Sequence, residues 1–346
     1  MNYLNNKTVL VAGGAGYVGT ELINKFISNN VNVICLDLLI YGDESLNNFS
    51  NKKNFRFVKG DIRDWKLIKD ITQNVDFVIN LAAIVGDKPC ESAPDSAVQI
   101  NYNGNILLAE AAKKNRVKKF IFASTCSNYG ISDPNSYANE ESFLNPVSLY
   151  AETKIDSEKI LKNLSTENFS TTSLRFATAF GISKRTRFDL TVNSFAFEAL
   201  HNKKIIVFAE NTWRPYIHVS DMANIIFDII GLDNNLVSGQ IYNAGKTSQN
   251  HTKKDLVKFL LELLPQTEIK FISSIDDRRD YRVSCKKIEK LIEMKNTKSV
   301  KKGFEEIINA FNQKLLQITD YNSNNLDAIA EFYKKNKNKL IFNDQK

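Results

Sequence analysis

The amino-acid sequence predicts an α/β fold: a doubly wound parallel sheet with a smaller C-terminal α/β lobe. Three observations predict it. The chain opens with an apolar run of strand length, Thr8 to Ala12, which ends in a glycine cluster and passes into an amphipathic helical pattern. Four further strand-length runs follow, at Val31–Leu36, Phe55–Val58, Asp76–Ala83 and Lys119–Ser124, separated by segments long enough for helices. That spacing implies right-handed crossovers and helices on both faces of the sheet. At 346 residues, the chain is also long for one compact domain and suits a large lobe plus a smaller one.

The first turn carries the most chemistry. Gly14, Gly16 and Gly19 fit G-x-G-x-x-G, and Gly13, Gly16 and Gly19 fit G-x-x-G-x-x-G. One glycine permits the tight turn, one lets backbone approach a pyrophosphate, and one lets helix pack on strand. Val18, Leu22, Ile23, Phe26 and Ile27 cover one face of the helix that follows. Its N-terminal N–H groups, around Gly13, Gly16, Tyr17 and Val18, are placed to meet phosphates. The second strand ends at Asp37, eighteen residues after Gly19. A carboxylate there binds ribose hydroxyls and repels a 2′-phosphate, so the expected cofactor of this Rossmann-type fold is NAD rather than NADP.

Ligands of such sheets lie beyond the carboxyl ends of the strands. The third strand leads to Asp61 and Ile62, and residues 64–73 read as a helix. The fourth ends in Leu81, Ala82 and Ala83, small enough to let a cofactor lie close, and a helix is expected from about Ser96 to Asn115. The fifth ends in Ser124-Thr125-Cys126-Ser127, and the next helix begins with Tyr150-Ala151-Glu152-Thr153-Lys154. Tyr150 and Lys154, four apart, point from one face. Thr172–Phe176 is a further strand, and Gln240–Gly245 returns to the sheet. Residues 252–263 and 285–294 read as amphipathic helices, with two more helical stretches after Val300 and a Lys/Asn-rich tail beyond Lys335. The expected division is residues 1–176 plus 214–245 for the cofactor domain, and 177–213 plus 246–340 for the substrate lobe.

Composition narrows the function classes. Hydrophobic content of 43% and charged content of 25% are ordinary for a globular enzyme. No run reaches membrane-spanning length, and a strand starting by Thr8 leaves no room for a signal peptide, so the cytoplasm is expected. Cys35, Cys90, Cys126 and Cys285 are scattered without a C-x-x-C, which argues against a disulfide framework or a metal site. The net charge of +7 is spread over helical faces without aromatic-basic interleaving. Nucleic acid is therefore not an expected partner, whereas an anionic small substrate suits a basic cleft.

From Val9 to about Lys290 the chain resembles the extended short-chain dehydrogenase/reductases of the nucleotide-sugar epimerase/dehydratase type. The resemblance rests on the glycine turn, Asp37, Gly60-Asp61-Ile62, Leu81-Ala82-Ala83, Asn101, Thr125, Tyr150/Lys154, Leu174-Arg175-Phe176, and Arg214 through Asp221. It implies a nucleotide-diphosphate sugar substrate, with Thr125, Tyr150 and Lys154 catalytic. Tyr150 would take the proton of a sugar hydroxyl while hydride passes to NAD. Thr125 would hydrogen-bond the same oxygen, and Lys154 would also hold the nicotinamide ribose. Bringing a phenol from about 10 to neutrality needs roughly 4 kcal/mol, which nearby cations in a poorly hydrated cleft can supply. Gly13, Gly16, Tyr17, Val18, Asp37, Asp61, Ile62, Leu81–Ala83, Ser124, Tyr150 and Lys154 are the expected cofactor residues. Thr125, Cys126, Ser127, Thr178, Arg185, Arg187, Arg214 and Arg279 (with Arg278 beside it) are the expected substrate contacts, the arginines as forks for a diphosphate. His218 is expected to be structural, and Asp221 to cap the helix running to Ile230. Family members commonly dimerise through the helices at 96–115 and around Tyr150, so a homodimer is expected.

Departures from the family narrow the reaction. Members that eliminate water across the 4,6-positions usually carry Asp-Glu after the threonine, whereas Cys126 and Ser127 offer no carboxyl. Thr178 stands where many epimerases have an Asn. Phe176–Ser183 with Arg185, Arg187 and Asp189, and Ala82–Cys90, are similar to a smaller branch that includes 4-dehydrogenases of nucleotide-activated heptoses. The expected activity is C4 oxidation by an epimerase or closely related 4-dehydrogenase. A 4-keto-reductase or dehydratase is the alternative, and a non-catalytic NAD-sensing protein the alternative of another class.

Overall fold

The computed structural model describes residues 3–133, 136–272 and 279–316. Arg278, the second helical stretch expected after Val300, and the tail lie outside the described residues. The large sheet has seven strands: β1 (Thr8–Ala12), β2 (Asn32–Asp37), β3 (Phe55–Lys59), β4 (Phe77–Asn80), β5 (Lys119–Thr125), β6 (Ser170–Phe176) and a last strand, Gln240–Ala244. All pair in parallel, in the order Gln240–Ala244, β6, β5, β4, β1, β2, β3. The order reverses between β1 and β4, where such sheets open a crevice. Strands buried on both faces read as unbroken apolar runs, and the four residues Val9–Ala12 are wholly buried.

One helical layer pairs α1 (Tyr17–Ser28) with the helix Val219–Gly231. Leu22, Ile23 and Phe26 of α1 bury against it, as the spacing predicts. The other layer holds α2 (Trp65–Ile71), the 94–114 run and the helix Leu149–Leu164. Asp64 caps α2 by accepting from the Leu67 N–H, and Ser148 caps the Tyr150 helix through the Ala151 N–H. The single helix expected at 96–115 is instead two α-segments, Pro94–Val98 and Asn105–Lys114, joined by a π-helical turn at Gln99–Gly104. Asn101 within that turn clamps the backbone N–H and C=O of Ile84, at 2.8 and 2.9 Å. The extra residue of the wide turn therefore fixes the loop after β4. β4 itself stops at Asn80, so Leu81–Ala83 leave the ladder.

The smaller lobe is built on short strands. A three-stranded sheet joins Thr178–Phe180, Trp213–His218 and Asn250–Thr252, and a two-stranded sheet joins Lys204–Phe208 and Glu268–Ile272. Residues 214–218, expected with the cofactor domain, pair in this small sheet, while the helix after them returns to the large one. The expected cap is also displaced. His218, not Asp221, caps Val219–Gly231 by accepting from the Ser220 N–H, and Asp221 in the first turn accepts from the Lys298 N–H at 2.8 Å. His218 pairs further with Glu306 at 2.9 Å, a structural setting.

Candidate active site

The carboxyl ends of β1, β2, β4, β5 and β6 and the smaller lobe enclose one continuous cavity of about 990 Å³. Its floor is the glycine turn. Gly13 has φ of +77°, and a Cβ there would lie 2.7 Å from the Ala82 nitrogen and 2.8 Å from the Leu81 carbonyl carbon. A side chain is thus excluded both by backbone conformation and by the end of β4. Gly19 is similarly closed by Gly13 and Gly14 backbone, which lets α1 sit against the turn. α1, with Gly16 as its N-cap residue, has no side-chain cap and no acidic residue in its first turn, and Gly16, Tyr17, Val18 and Gly19 line the cavity at its open N-terminus. Asp37, at the end of β2, accepts from the N–H of Ala15 (3.0 Å) and Leu39 (2.8 Å). Burial raises its pKa and these bonds oppose the rise. A Cβ-free cradle, an open helix N-terminus and an oriented carboxylate together fit a dinucleotide.

Tyr17 and Val18 line the same groove, but the Tyr17 hydroxyl is committed to the Gly181 carbonyl at 2.7 Å. Ile62, Leu81, Ala82 and Ala83 line it as expected. Asp61 also does so, its carboxylate held by the Arg63 guanidinium at 2.6 and 3.0 Å. Ser124 reaches the cavity, yet its hydroxyl donates inward to Glu158.

At the middle of the cavity stand Thr125, Tyr150 and Lys154. Thr125 caps the turn Cys126–Tyr129 by accepting from the Ser127 N–H at 3.1 Å, which leaves its O–H to donate. Lys154 Nζ donates to the Ala123 carbonyl at 2.8 Å and lies 5.7 Å from the centre of the Tyr150 ring. Burial lowers the Lys154 pKa to about 8, with Cys90 and Glu158 opposing. Burial pushes the Tyr150 phenol above its ordinary value. Both shifts favour the neutral side chains.

Beneath them lies a buried ionic network. Glu158, one helical turn beyond Lys154, accepts from Arg175 Nη2 at 2.6 Å and Nε at 3.0 and 3.2 Å, and from Asn128 at 3.0 Å. Arg175 also donates to the Tyr129 hydroxyl at 3.0 Å. Both members of the pair are almost wholly buried.

The expected substrate residues divide. Thr178, Ser127, Arg185, Arg187, Arg214 and Arg279 all line the cavity. Cys126 does not: it is 1% exposed, its thiol points at the Arg175 carbonyl (3.1 Å), and burial raises its pKa. It is therefore corrected to a packing residue, turned inward by the tight turn that Thr125 caps. Ser127 faces Tyr281, the two hydroxyls 3.4 Å apart, and the Arg214 guanidinium lies 5.2 Å from the Tyr281 ring centre. Arg279 pairs with Asp87 at 3.2 Å, and Arg187 makes a fork onto Asp189 at 2.6 and 3.1 Å. Arg185 is placed elsewhere, stacked on Tyr41 with 3.6 Å to the ring centre. Tyr41, Tyr281, Asp87 and Lys253 are cavity residues that the sequence reading missed. Only the position of Tyr41, four residues past Asp37, hinted at its place. Among the described residues no group of three His, Cys, Asp or Glu side chains is arranged to hold a metal, and no helix is long and apolar enough to cross a membrane.

The sequence model of the NAD dependent epimerase/dehydratase family matches residues 9–245. A putative UDP-glucose 4-epimerase of Methanocaldococcus jannaschii is 30% identical over 256 residues, spanning 72% of this chain and 81% of that protein. Among solved structures, a dTDP-glucose 4,6-dehydratase of Streptomyces venezuelae with NAD bound superposes with a TM-score of 0.80 at 22% identity, covering 90% of this chain and 99% of the other. A UDP-N-acetylglucosamine 4-epimerase of Methanobrevibacter ruminantium gives 0.78 at 22% identity, with 90% and 99% covered. At these identities the superpositions speak for the fold.

Proposed function

Because the chain belongs to the NAD dependent epimerase/dehydratase family, we propose that it oxidises C4 of a nucleotide-diphosphate sugar, as an epimerase or closely related 4-dehydrogenase. The observation that carries this reading is the position of Thr125, Tyr150 and Lys154 in one cavity. The glycine turn and Asp37 lie to one side, and Ser127, Arg214 and Arg279 to the other. NAD, when bound, supplies a hydride acceptor and, oxidised, a positive charge. The chain's own residues do the rest. The α1 N-terminus and Asp37 hold phosphate and ribose, while Tyr150 Oη takes the C4 hydroxyl proton. The Thr125 hydroxyl steadies the developing carbonyl. Lys154 contributes a cation that is fixed to the Ala123 carbonyl and cannot wander.

The site after Thr125 separates this reading from dehydration. Cys126 is turned into the core, and Ser127 meets a phenol rather than a carboxyl. Elimination across C5 and C6 needs an acid and a base that these two positions do not offer. A homodimer through the 94–114 and 149–164 helices remains part of the proposal.

The test begins with purified protein denatured to release its cofactor, whose identity and redox state are read. UDP-, GDP-, dTDP- and CDP-sugars are then screened for exchange of the C4 hydrogen. Tyr150→Phe should lower turnover by about 10²–10⁴ while cofactor content is retained. Unchanged turnover in that variant removes Tyr150 from its role, and NAD binding without exchange on any sugar favours a sensing protein.

A further inference from the structure

Four arginines line the cavity and were expected together on the sugar nucleotide, but the structure separates one of them. Arg185 lies over Tyr41 at 3.6 Å from the ring centre. Tyr41 follows Asp37 in the loop that leaves β2, and all three residues line the cavity. Arg214, by contrast, sits with Tyr281 and Ser127 beyond the end of β5. β2 and β5 are three strand spacings apart, about 14 Å at ~4.8 Å each. The segment bearing Arg185 is fastened on the way. Tyr17 donates to the Gly181 carbonyl, and Asn193 bonds the Gly181 N–H and C=O at 2.9 and 3.1 Å and the Arg187 carbonyl at 2.8 Å. Residues 181–187 thus leave the glycine turn of one lobe and end beside the ribose carboxylate.

We infer that Arg185, carried by the lobe that receives the sugar nucleotide, is a cofactor-holding residue: stacked on Tyr41 beside Asp37, it closes the adenosine end of the dinucleotide groove. A guanidinium stacked on a ring directs its in-plane N–H groups toward the ring's edge, where an anionic or hydroxyl oxygen can meet them. It also places a cation near the Asp37 carboxylate, where it joins the Leu39 and Ala15 N–H groups in offsetting the burial of that carboxylate. A cofactor beneath this strap leaves only if the 181–187 segment lifts from both anchors. The strap therefore retains the dinucleotide through turnover, which suits an enzyme that returns its hydride to the same sugar. This rests on the proposed dinucleotide site.

The experiment follows release of the NAD that accompanies the purified protein, chased with excess etheno-NAD and read by fluorescence. Affinities for UDP, GDP, dTDP and CDP are measured alongside. Arg185→Ala should speed release by roughly tenfold or more, the loss of one charge-assisted contact. Tyr41→Ala should do the same, Arg185→Lys should fall between, and nucleoside diphosphate affinity should stay at the wild-type level. Unchanged release in Arg185→Ala overturns the assignment. So does weakened diphosphate binding, whether alone or together with faster release, since the first puts Arg185 on the substrate and the second is a general loosening of the lobes. If wild type holds no NAD and binds none, the proposed function itself fails. If no diphosphate binds, the release rates alone decide.

Discussion

Replacing Glu158 by Gln attacks a buried ion pair on the helix that carries Tyr150 and Lys154. Its carboxylate receives Arg175 through Nε and Nη2, Asn128 through its amide, and Ser124 through its hydroxyl. Gln keeps a single acceptor oxygen and turns an NH2 donor toward donors. At least one Arg175 N–H then loses its partner in a site where both side chains are 2–3% exposed. Breaking a buried pair from one side costs about 3–5 kcal/mol, which is two to nearly four powers of ten in the folded-to-unfolded ratio. The assay is urea unfolding followed by far-UV circular dichroism at one fixed NAD concentration, because bound ligand adds to stability. Arg175→Met should cost a similar amount, and the Glu158→Leu/Arg175→Met pair should cost well under the sum, since a packed apolar pair no longer buries an uncompensated charge. Single variants within about 1 kcal/mol of wild type, or a double variant that costs the full sum, would refute the reasoning.

Gly13→Ala should lose its cofactor and about 2–4 kcal/mol of stability, because φ of +77° and the Ala82 backbone 2.7 Å away both reject a Cβ; a variant with full NAD content and an unchanged melting temperature contradicts this. The native protein should give almost no reaction with Ellman's reagent, and four thiols once denatured, since all four cysteines are buried and burial raises each pKa. Rapid labelling of Cys126 would restore it to the cavity. For Lys154 the folded value, about 8, lies below that of the unfolded chain, so the unfolded state binds the extra proton between about pH 8 and 10.5. In cofactor-free protein the stability difference between wild type and Lys154→Met should be flat below pH 8. It should then move in favour of wild type by up to about 3 kcal/mol as pH rises through that window; a difference that does not change with pH refutes it.

Much of this arrangement was legible because burial writes a strong pattern. Strands enclosed on both faces, such as Val9–Ala12 and Phe77–Asn80, read as apolar runs, and the Gly13–Gly19 turn and Asp37 lie at their ends. Tyr150 and Lys154 were legible as a helical i, i+4 pair, and the family resemblance gave that pair its chemistry. Other features depend on contacts that no local pattern records. Cys126 and Ser127 are neighbours, yet a single tight turn sends one inward and the other toward Tyr281. The cap of Val219–Gly231 fell to His218 because its ring nitrogen reaches the Ser220 N–H, while a backbone N–H from Lys298, far along the chain, takes the Asp221 carboxylate. The small lobe's strands run only three to six residues and pair with partners distant in sequence, so periodicity had little length in which to appear. Arg185 was read with Arg187 because they are two apart, but their side chains serve different neighbours.

The titration of the central pair has a consequence for how the site works on the proposed reading. Burial alone favours phenol over phenolate at Tyr150 and amine over ammonium at Lys154. The apolar walls that exclude water therefore oppose the very charges that proton transfer needs, and Tyr150 is not a base standing ready. Its Oη holds a proton until positive charge arrives nearby, and the oxidised cofactor carries that charge while the reduced one does not. The same phenol is then a base when the sugar is to be oxidised and an acid when the keto sugar is to be reduced, with no other group needed to reset it. An enzyme that must run the two half-reactions in opposite directions on one bound cofactor needs that symmetry. It also needs the cofactor to stay, and the Arg185–Tyr41 contact meets that second requirement at the opposite end of the groove.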